Sequence, residues 1–276
     1  MLQVLQMERR KGDKVMEEKA EIRVMTKSLV DALLEMNTHN RKLKGTVLKA
    51  YERDIRAGHW MLTNQGIGVS KDGVLLDGQH RLMALRESGY PHVKCVIVWG
   101  LDFDSQKVVD QQAKRQARDV LRLMYNASVA KSTPAICNVI ARYNSESGTM
   151  EQKFRTVTVS EMLDIIEEHG ENIEYICELQ NISYYAAPIL AAGVIACAEN
   201  PSKKEEIKTF LQSVEKNEGL FRTMPAWHLR SYIECSKGQS GGSKVQVERF
   251  NKTMRAIESH IEGKSIGRLI SKARAK

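Results

Sequence analysis

The chain has 276 residues, 42% of them hydrophobic, which is enough apolar content for one large folded domain or two modest ones. Its formal net charge of +8 favours an acidic partner, nucleic acid above all. No apolar run approaches the roughly 20 residues of a membrane helix, and the opening stretch is too charged for a secretory signal, so the expectation is a cytoplasmic protein with no membrane partner. The cysteines, Cys95, Cys137, Cys177, Cys197 and Cys235, are scattered, odd in number and never in a Cys-x-x-Cys pair. That excludes a disulfide framework and a zinc site, and they read as buried reduced thiols.

Residues 1–24 are charged and read as an N-terminal extension, either frayed or a leading helix. From Thr26, Leu29, Val30, Leu33, Leu34 and Met36 fall at helical spacing, ending in the polar cluster Asn37, Thr38, His39, Asn40, Arg41 and Lys42. A second helix is expected over residues 45–57, with Val47, Leu48, Tyr51 and Ile55 on one face and a stop at Gly58. The period then changes. Residues 60–62, 67–70 and 74–76 read as short strands, and Lys71-Asp72-Gly73 as a hairpin turn. A helix over residues 81–88 closes at Gly89, and the β-branched run at residues 93–100 reads as a buried strand. Residues 104–109 are expected to be helical, residues 110–115 a polar bridge, and residues 117–125 a further helix.

Beyond Asn126 the strand signals nearly vanish. Helical segments are expected near residues 132–143, 160–169, 173–180, 185–198, 203–215, 225–235 and 245–273, and the glycine- and serine-rich run at residues 238–244 as a mobile loop. The fold class is therefore α+β: a small mixed α/β domain at residues 25–125, then an all-α helical domain at residues 126–276 with a basic tail.

The stretch Val74 to Leu85, VLLDGQHRLMAL, carries the most chemistry. A short apolar run stops at Asp77, Gly78, Gln79, His80 and Arg81 and becomes helical at once. The first N–H groups of a helix lack internal partners and sit at the positive end of its dipole, so such a junction favours an anion, phosphate in the first place. Gly78 lets the chain approach a ligand closely, and His80 and Arg81 add donors suited to phosphate oxygens. Each residue also has a structural role to offer. Asp77 either caps the helix or holds Mg2+ beside phosphates, Arg81 either forms a surface ion pair or grips an anion, and His80 either hydrogen-bonds within the fold or binds a ligand. Trp60 and Trp99 read as core rather than stacking platforms. There is no dinucleotide fingerprint, phosphate-binding G-x-x-x-x-G-K-[ST] loop, H-E-x-x-H pair or nucleophile elbow.

The order helix, G-x-W, short strands, G-x-L-L-D-G-Q-H-R-L-x-A helix and apolar strand resembles the N-terminal domain of the ParB and sulfiredoxin superfamily, especially phage and prophage proteins with a D-G-Q-H-R signature. The resemblance spans residues 26–121. It implies that the turn binds the phosphates of ATP or CTP with Mg2+ held by Asp77, that Gly78 and Gln79 offer backbone donors, and that His80 and Arg81 hold phosphate oxygens. It further implies that His39, Asn40 and Arg41 line the pocket, where local reading would make them helix-end caps, and that Asp110, Gln112 and Arg115 form a second wall over the nucleotide. Sulfiredoxins place a reactive cysteine where this chain has Gln79, so sulfinic acid repair is not expected. Partitioning ParB proteins carry Gly-Glu-Arg-Arg at the turn and a following helix-turn-helix, and this chain shows neither.

The expected function is thus a nucleoside-triphosphate-binding protein that hydrolyses the nucleotide or transfers its phosphoryl group in a DNA-related process, with Asp77, His80 and Arg81 as the catalytic set. The alternatives are a non-catalytic DNA-binding regulator and a ParB-like nuclease. DNA contact is expected from Lys244, Arg249, Lys252, Arg255, Lys264, Arg268, Lys272 and Arg274, which otherwise make a solvated helix end. A homodimer is compatible with these features.

Overall fold

Lys19, Glu21 and Arg23 alternate with Ala20, Ile22 and Val24, and this period of two folds as strand β1 (Lys19–Val24), hydrogen-bonded in an antiparallel ladder to strand β4 (Lys94–Leu101). The expected N-terminal extension is thus corrected over its last residues, which are sheet. The apolar members of the alternation are few and exposed, so their burial signal in the sequence is faint. The computed structural model describes residues 16–40, 42–107, 117, 119–121, 131–151, 155, 157–179, 181, 184–237 and 242–270. The chain divides into two compact units, Met1–Lys114 and Arg115–Lys276, a division that falls earlier than the change of pattern near residue 125. The fold class is α+β.

The first unit holds a four-stranded sheet in the order β1-β4-β2-β3, with β2 at Ile67–Ser70 and β3 at Leu75–Asp77. Strands β2 and β3 are antiparallel, and Lys71-Asp72-Gly73 makes the expected turn with Gly73 at φ +76°. Buried Ser70 fixes it by accepting from the N–H groups of Asp72 and Val74 at 3.3 and 3.0 Å. Strand β2 runs parallel to β4, so the sheet is mixed. Helices α1 (Lys27–Glu35), α2 (Gly45–Arg56) and α3 (Gln79–Glu87) belong to this unit. Thr26 starts α1 by accepting from Leu29 N–H at 3.4 Å. Val30, Leu33, Ile55, Ile67, Leu75, Leu82 and Ile97 form the core, with Trp60 and Trp99 packed on its border.

Residues 60–62 form no strand. Trp60 is held by its indole N–H, which donates to Lys94 O at 3.1 Å, while Met61 is 77% exposed, so side-chain anchoring replaces ladder pairing here. Of the helical segment expected at 104–109, residues 104–107 are described and lie in a 3-10 helix, Phe103–Lys107. The polar bridge at 110–115 lies outside the described residues. Of the helix expected at 117–125, residues 117 and 119–121 are described, and they are helical.

Among its described residues the second unit is helical apart from a small hairpin, β5 (Tyr143–Asn144) with β6 (Thr149–Met150), which follows α4 (Thr133–Ile140). The expected helix to residue 143 therefore stops at Ile140. Two expected segments merge into one helix, α5 (Val159–Cys177), started by a capping box in which Thr158 accepts from Glu161 N–H at 3.2 Å and Glu161 accepts from Thr158 N–H at 2.8 Å. Gly170 lies inside this helix, where a single glycine costs about 1 kcal/mol without ending it. Helix α6 (Ala187–Glu199) is buried continuously from Pro188 to Cys197. Helices α7 (Lys204–Lys216), α8 (Pro225–Cys235) and α9 (Ser243–Ile261) complete the unit, and Phe210, Leu211, Leu229, Phe250 and Ile257 share the core with α6.

Helix α9 ends well before the expected residue 273. Gly263 at φ +66° donates to His260 O at 2.9 Å and Lys264 N–H donates to Ser259 O at 2.8 Å, the two bonds of a Schellman stop. The loop expected at 238–244 lies outside the described residues over 238–241, while Ser243 and Lys244 begin α9. All the cysteines are free. Cys95, Cys137 and Cys197 are buried and Cys177 is half-buried, but Cys235 is exposed at the end of α8, against the expectation that every thiol is buried. Among the described residues, no helix is long and apolar enough to cross a membrane.

Candidate functional site

Leu75 and Leu76 are buried in β3, and the chain turns outward at Asp77 before starting α3. The turn needs Gly78, which sits at φ +101°, ψ 2°, in the left-handed region. A Cβ there would lie 3.0 Å from Ile67 Cγ1 and 3.3 Å from Ile67 Cα. The close approach that Gly78 permits in this structure is to strand β2. As the N-cap of α3, Gly78 offers no side chain to the first-turn amides.

Asp77 Oδ1 accepts from Gly78 N–H at 2.6 Å, and Oδ2 accepts from Arg81 Nη2 at 2.9 Å. The carboxylate thus holds the turn together and remains half-exposed. Arg81 reaches further: Nη1 donates to Gln65 O and Nη2 to Gly66 O at 2.8 Å, and its side chain is 12% exposed. The guanidinium is a tie between α3 and the segment leading into β2, and the ion pair that the sequence offered beside anion binding is only one of its bonds.

Gln79 is buried, and its Oε1 accepts from Asn37 Nδ2 at 3.5 Å. Asn40 Nδ2 donates to Asn37 Oδ1 at 2.7 Å and to Leu75 O at 2.6 Å, while Leu75 N–H donates to Met36 O at 2.9 Å. These bonds stitch residues 36–40 along β3 and against the start of α3, so the polar cluster after α1 and the D-G-Q-H-R turn do come together. His39 is exposed, with Nδ1 2.8 Å from Thr38 Oγ1 and its ring edge-on to Phe103. His80 Nε2 accepts from Lys44 N–H at 3.0 Å, which links the start of α2 to the start of α3 and leaves Nε2 unprotonated. Arg41, Asp110, Gln112 and Arg115 lie outside the described residues.

Lys44, Gln65 and Gly66 enter the site through backbone atoms, which carry no side-chain signal in a sequence. Among the described residues, no group of three or more His, Cys, Asp or Glu can hold a metal ion. Asp77 is a single carboxylate. That donor set suits Mg2+ carried mainly by phosphates, which needs one or two protein carboxylates, and does not suit a cage built by protein alone.

The basic residues of the helical unit do not form one stripe. Arg249 Nη2 donates to Ser236 O at 2.8 Å. Lys252 pairs with Glu248 at 2.8 Å and lies 4.0 Å from the Tyr232 ring centroid. Lys244 is exposed at the start of α9 and Arg255 is partly exposed, 3.9 Å from Glu258. Lys264 pairs with Glu262 at 2.9 Å and Arg268 is exposed, both beyond the helix end. Lys272 and Arg274 lie outside the described residues.

No family model matches the chain, and no curated protein matches it. Among solved structures, it aligns with one described as the C2221 form of a Pnob8-like ParB-N domain, at 13% identity over 89% of this chain and 98% of that chain, with a TM-score of 0.22. Likeness at that level assigns no function.

Proposed function

We propose that the β3–α3 turn of the first unit binds the phosphates of a nucleoside triphosphate, ATP or CTP, in a ParB/sulfiredoxin-like protein with a DNA-related role. The observation that carries this reading is the left-handed Gly78 turn that starts α3 directly after β3, bordered by His80 and by the Asn37 to Asn40 loop. The dipole and first-turn amides of such a helix end favour negative charge. The LLDGQHRLMAL sequence, with its resemblance to that superfamily, supports the same ligand. Asp77 is the residue that would hold Mg2+, and the ion would supply positive charge against the phosphate oxygens. His39 and Asn40 would border the ligand, with Asn40 fixed by its bond to Leu75 O.

Binding without turnover, the regulator reading, is favoured over hydrolysis or phosphoryl transfer by the placement of Arg81. A guanidinium anchored on two backbone carbonyls and on Asp77 holds the turn in shape and has little freedom to follow a transferring phosphoryl group. In the regulator reading the helical unit contacts DNA through exposed cations such as Lys244 and Arg268. The nuclease reading would call for a two-metal acidic centre, and the described residues contain no such cluster.

The test is a thermal-shift screen of the four ribonucleoside triphosphates with and without Mg2+, because a ligand that binds only the native state raises apparent stability. One nucleotide should raise the Tm, and Asp77→Asn should remove the Mg2+ dependence of that rise. A flat response to all four at millimolar concentration overturns the proposal. Measuring nucleotide hydrolysis with and without DNA then separates a regulator from an enzyme.

A further inference from the structure

Strand β1 is an outer strand of the first unit's sheet, with β4 on one side of it. The side on which its backbone groups face β4 is fixed by Met25 N–H, which continues the ladder by donating to Val93 O at 2.8 Å. Because N–H and C=O groups alternate in direction along a strand, those of Lys19, Glu21 and Arg23 point toward β4. Those of Ala20, Ile22 and Val24 therefore point to the outer edge. Val24 O agrees with this parity, accepting from Thr26 N–H at 3.0 Å. The strand is exposed along nearly its whole length, with Ile22 at 58% and Val24 at 43%. An exposed outer strand with apolar side chains is a template for pairing with another strand.

The sequence of β1 is complementary to itself. An antiparallel partner strand of the same sequence, centred so that Ile22 faces Ile22, sets Ala20 against Val24 and Glu21 against Arg23, twice over by symmetry. The centre residue then has to be one whose N–H and C=O point outward, and Ile22 is such a residue. In the same register the two Glu21/Arg23 pairs fall at the closely spaced positions that exchange no backbone bonds, where side chains meet best. Centring on Glu21 or Arg23 would juxtapose like charges and would also place an inward-pointing backbone at the centre. Ala20 and Val24 share the outward parity, but centring on Ala20 sets Glu18 against Ile22, and centring on Val24 runs the partner past the strand into the start of α1, so parity, charge and apolar pattern together select Ile22.

We propose that β1 is a homodimer edge, on which a second copy of this chain pairs antiparallel about Ile22 and joins the two four-stranded sheets into one. A strand of this length spans about 20 Å, which places the contact at the small end of specific interfaces. The dimer is accordingly weak and its population depends on concentration.

The test is sedimentation velocity of the full chain across a concentration series, with Glu21→Arg and Arg23→Glu made separately. The wild type should pass from monomer to dimer as concentration rises. Glu21→Arg alone opposes Arg to Arg and Arg23→Glu alone opposes Glu to Glu, so each should stay monomeric. An equimolar mixture of the two variants restores both opposite-charge pairs and should dimerise, a result that the intrachain contacts of Glu21 with Lys19, Arg23 and Trp99 would not produce. Ile22→Pro is a second probe. It removes only an outward N–H, so the chain's own ladder to β4 is kept, and it too should be monomeric. A wild type that stays monomeric, variants that dimerise as the wild type does, or a mixture no more dimeric than its components overturns the proposal. So does a wild type that dimerises only once residues 1–15 are removed, since the edge would then be covered by the chain's own N-terminus.

Discussion

Arg81 stands one helical turn after Asp77, and its Nη2 donates to Asp77 Oδ2 at 2.9 Å while the same guanidinium also donates to the carbonyls of Gln65 and Gly66. The ion pair is the smaller part of this arrangement, because Asp77 is half-exposed and such pairs contribute about 1 kcal/mol or less. The carbonyls matter more, since removing their donor leaves the part-buried Gly66 acceptor unpaired at about 1–3 kcal/mol, while the exposed Gln65 oxygen can turn to water. Arg81→Ala should therefore destabilise the protein by about that amount, and Arg81→Lys should recover little because an ammonium cannot span both carbonyls. Asp77→Asn should cost less than Arg81→Ala. Denaturant titration of the three variants checks the order, and equal losses for Asp77→Asn and Arg81→Ala would show that the ion pair dominates.

Gly78 and Gly58 both have positive φ, at +101° and +77°, yet they differ in their surroundings. A Cβ at Gly58 meets nothing within 4 Å, whereas at Gly78 it meets Ile67 at 3.0 Å. Gly58→Ala should cost about 1 kcal/mol for backbone strain alone. Gly78→Ala should cost more, and it should also lower any nucleotide-induced rise in Tm, because moving the turn moves the start of α3. Thermal unfolding of the pair measures the difference.

The β3–α3 junction was legible because strand, glycine and helix follow one another within a few residues, and each leaves its own pattern. The gathering of Asn37, Asn40 and Gln79 was legible only as a possibility, since their side-chain bonds to one another depend on a docking that runs through the Leu75 and Met36 backbone. Arg81 shows the limit most clearly. Its partners are the main-chain oxygens of Gln65 and Gly66, and an oxygen common to every residue leaves no trace in residue types. Strand β1 was missed because an outer strand exposed along nearly its whole length buries no apolar stripe that a sequence would show. The helices expected at 160–169 and 173–180 leave Gly170 between them, yet one helix runs through it, because the capping box of Thr158 and Glu161 and the burial of Met162, Ile173 and Ile176 outweigh the cost of one glycine.

The capping box itself is open to measurement. Thr158→Ala removes the acceptor for Glu161 N–H and should destabilise the protein by about 1 kcal/mol. Glu161→Gln keeps a hydrogen-bonding partner for Thr158 N–H but loses the 2.8 Å ion pair with Arg155, and should cost less. Circular dichroism melts of both variants decide this.

Thiol chemistry should follow burial. Burial pushes Cys95 and Cys197 up to about 11 and Cys137 up to about 12. An unfolded thiol titrates near about 9. Because the folded values are raised, the stabilising contribution of these neutral thiols is fully present below about pH 9 and is lost as pH rises from there toward 11 and 12. Stability measured by urea titration should fall across that window. At neutral pH a thiol-specific reagent should modify Cys235 quickly, Cys177 slowly, and the other three only after denaturant is added. Fast modification of Cys95 or Cys137 in the native protein would contradict the packing described for both units.

If the helical unit contacts DNA as proposed, binding should weaken with salt in a residue-dependent way. On α9, at about 100° per residue, Lys244 and Arg255 share a face, while Lys252 and Arg249 are turned progressively away from it. Lys252 and Arg249 are also engaged with Glu248, Tyr232 and Ser236. Phosphate contacts should therefore come from Lys244 and Arg255, joined by exposed Arg268. Each phosphate contact contributes about 0.9 to the slope of log K against log salt. The double variant Lys244→Ala, Arg255→Ala should reduce that slope by about 2 for duplex DNA of any sequence. Arg249→Ala with Lys252→Ala should leave the slope unchanged and instead lower the melting temperature, because it frees α9 from its contacts with α8 and the Ser236 turn. If the second pair changes the slope as much as the first, the intramolecular bonds of Arg249 and Lys252 give way on binding, and the whole helix face is the contact surface.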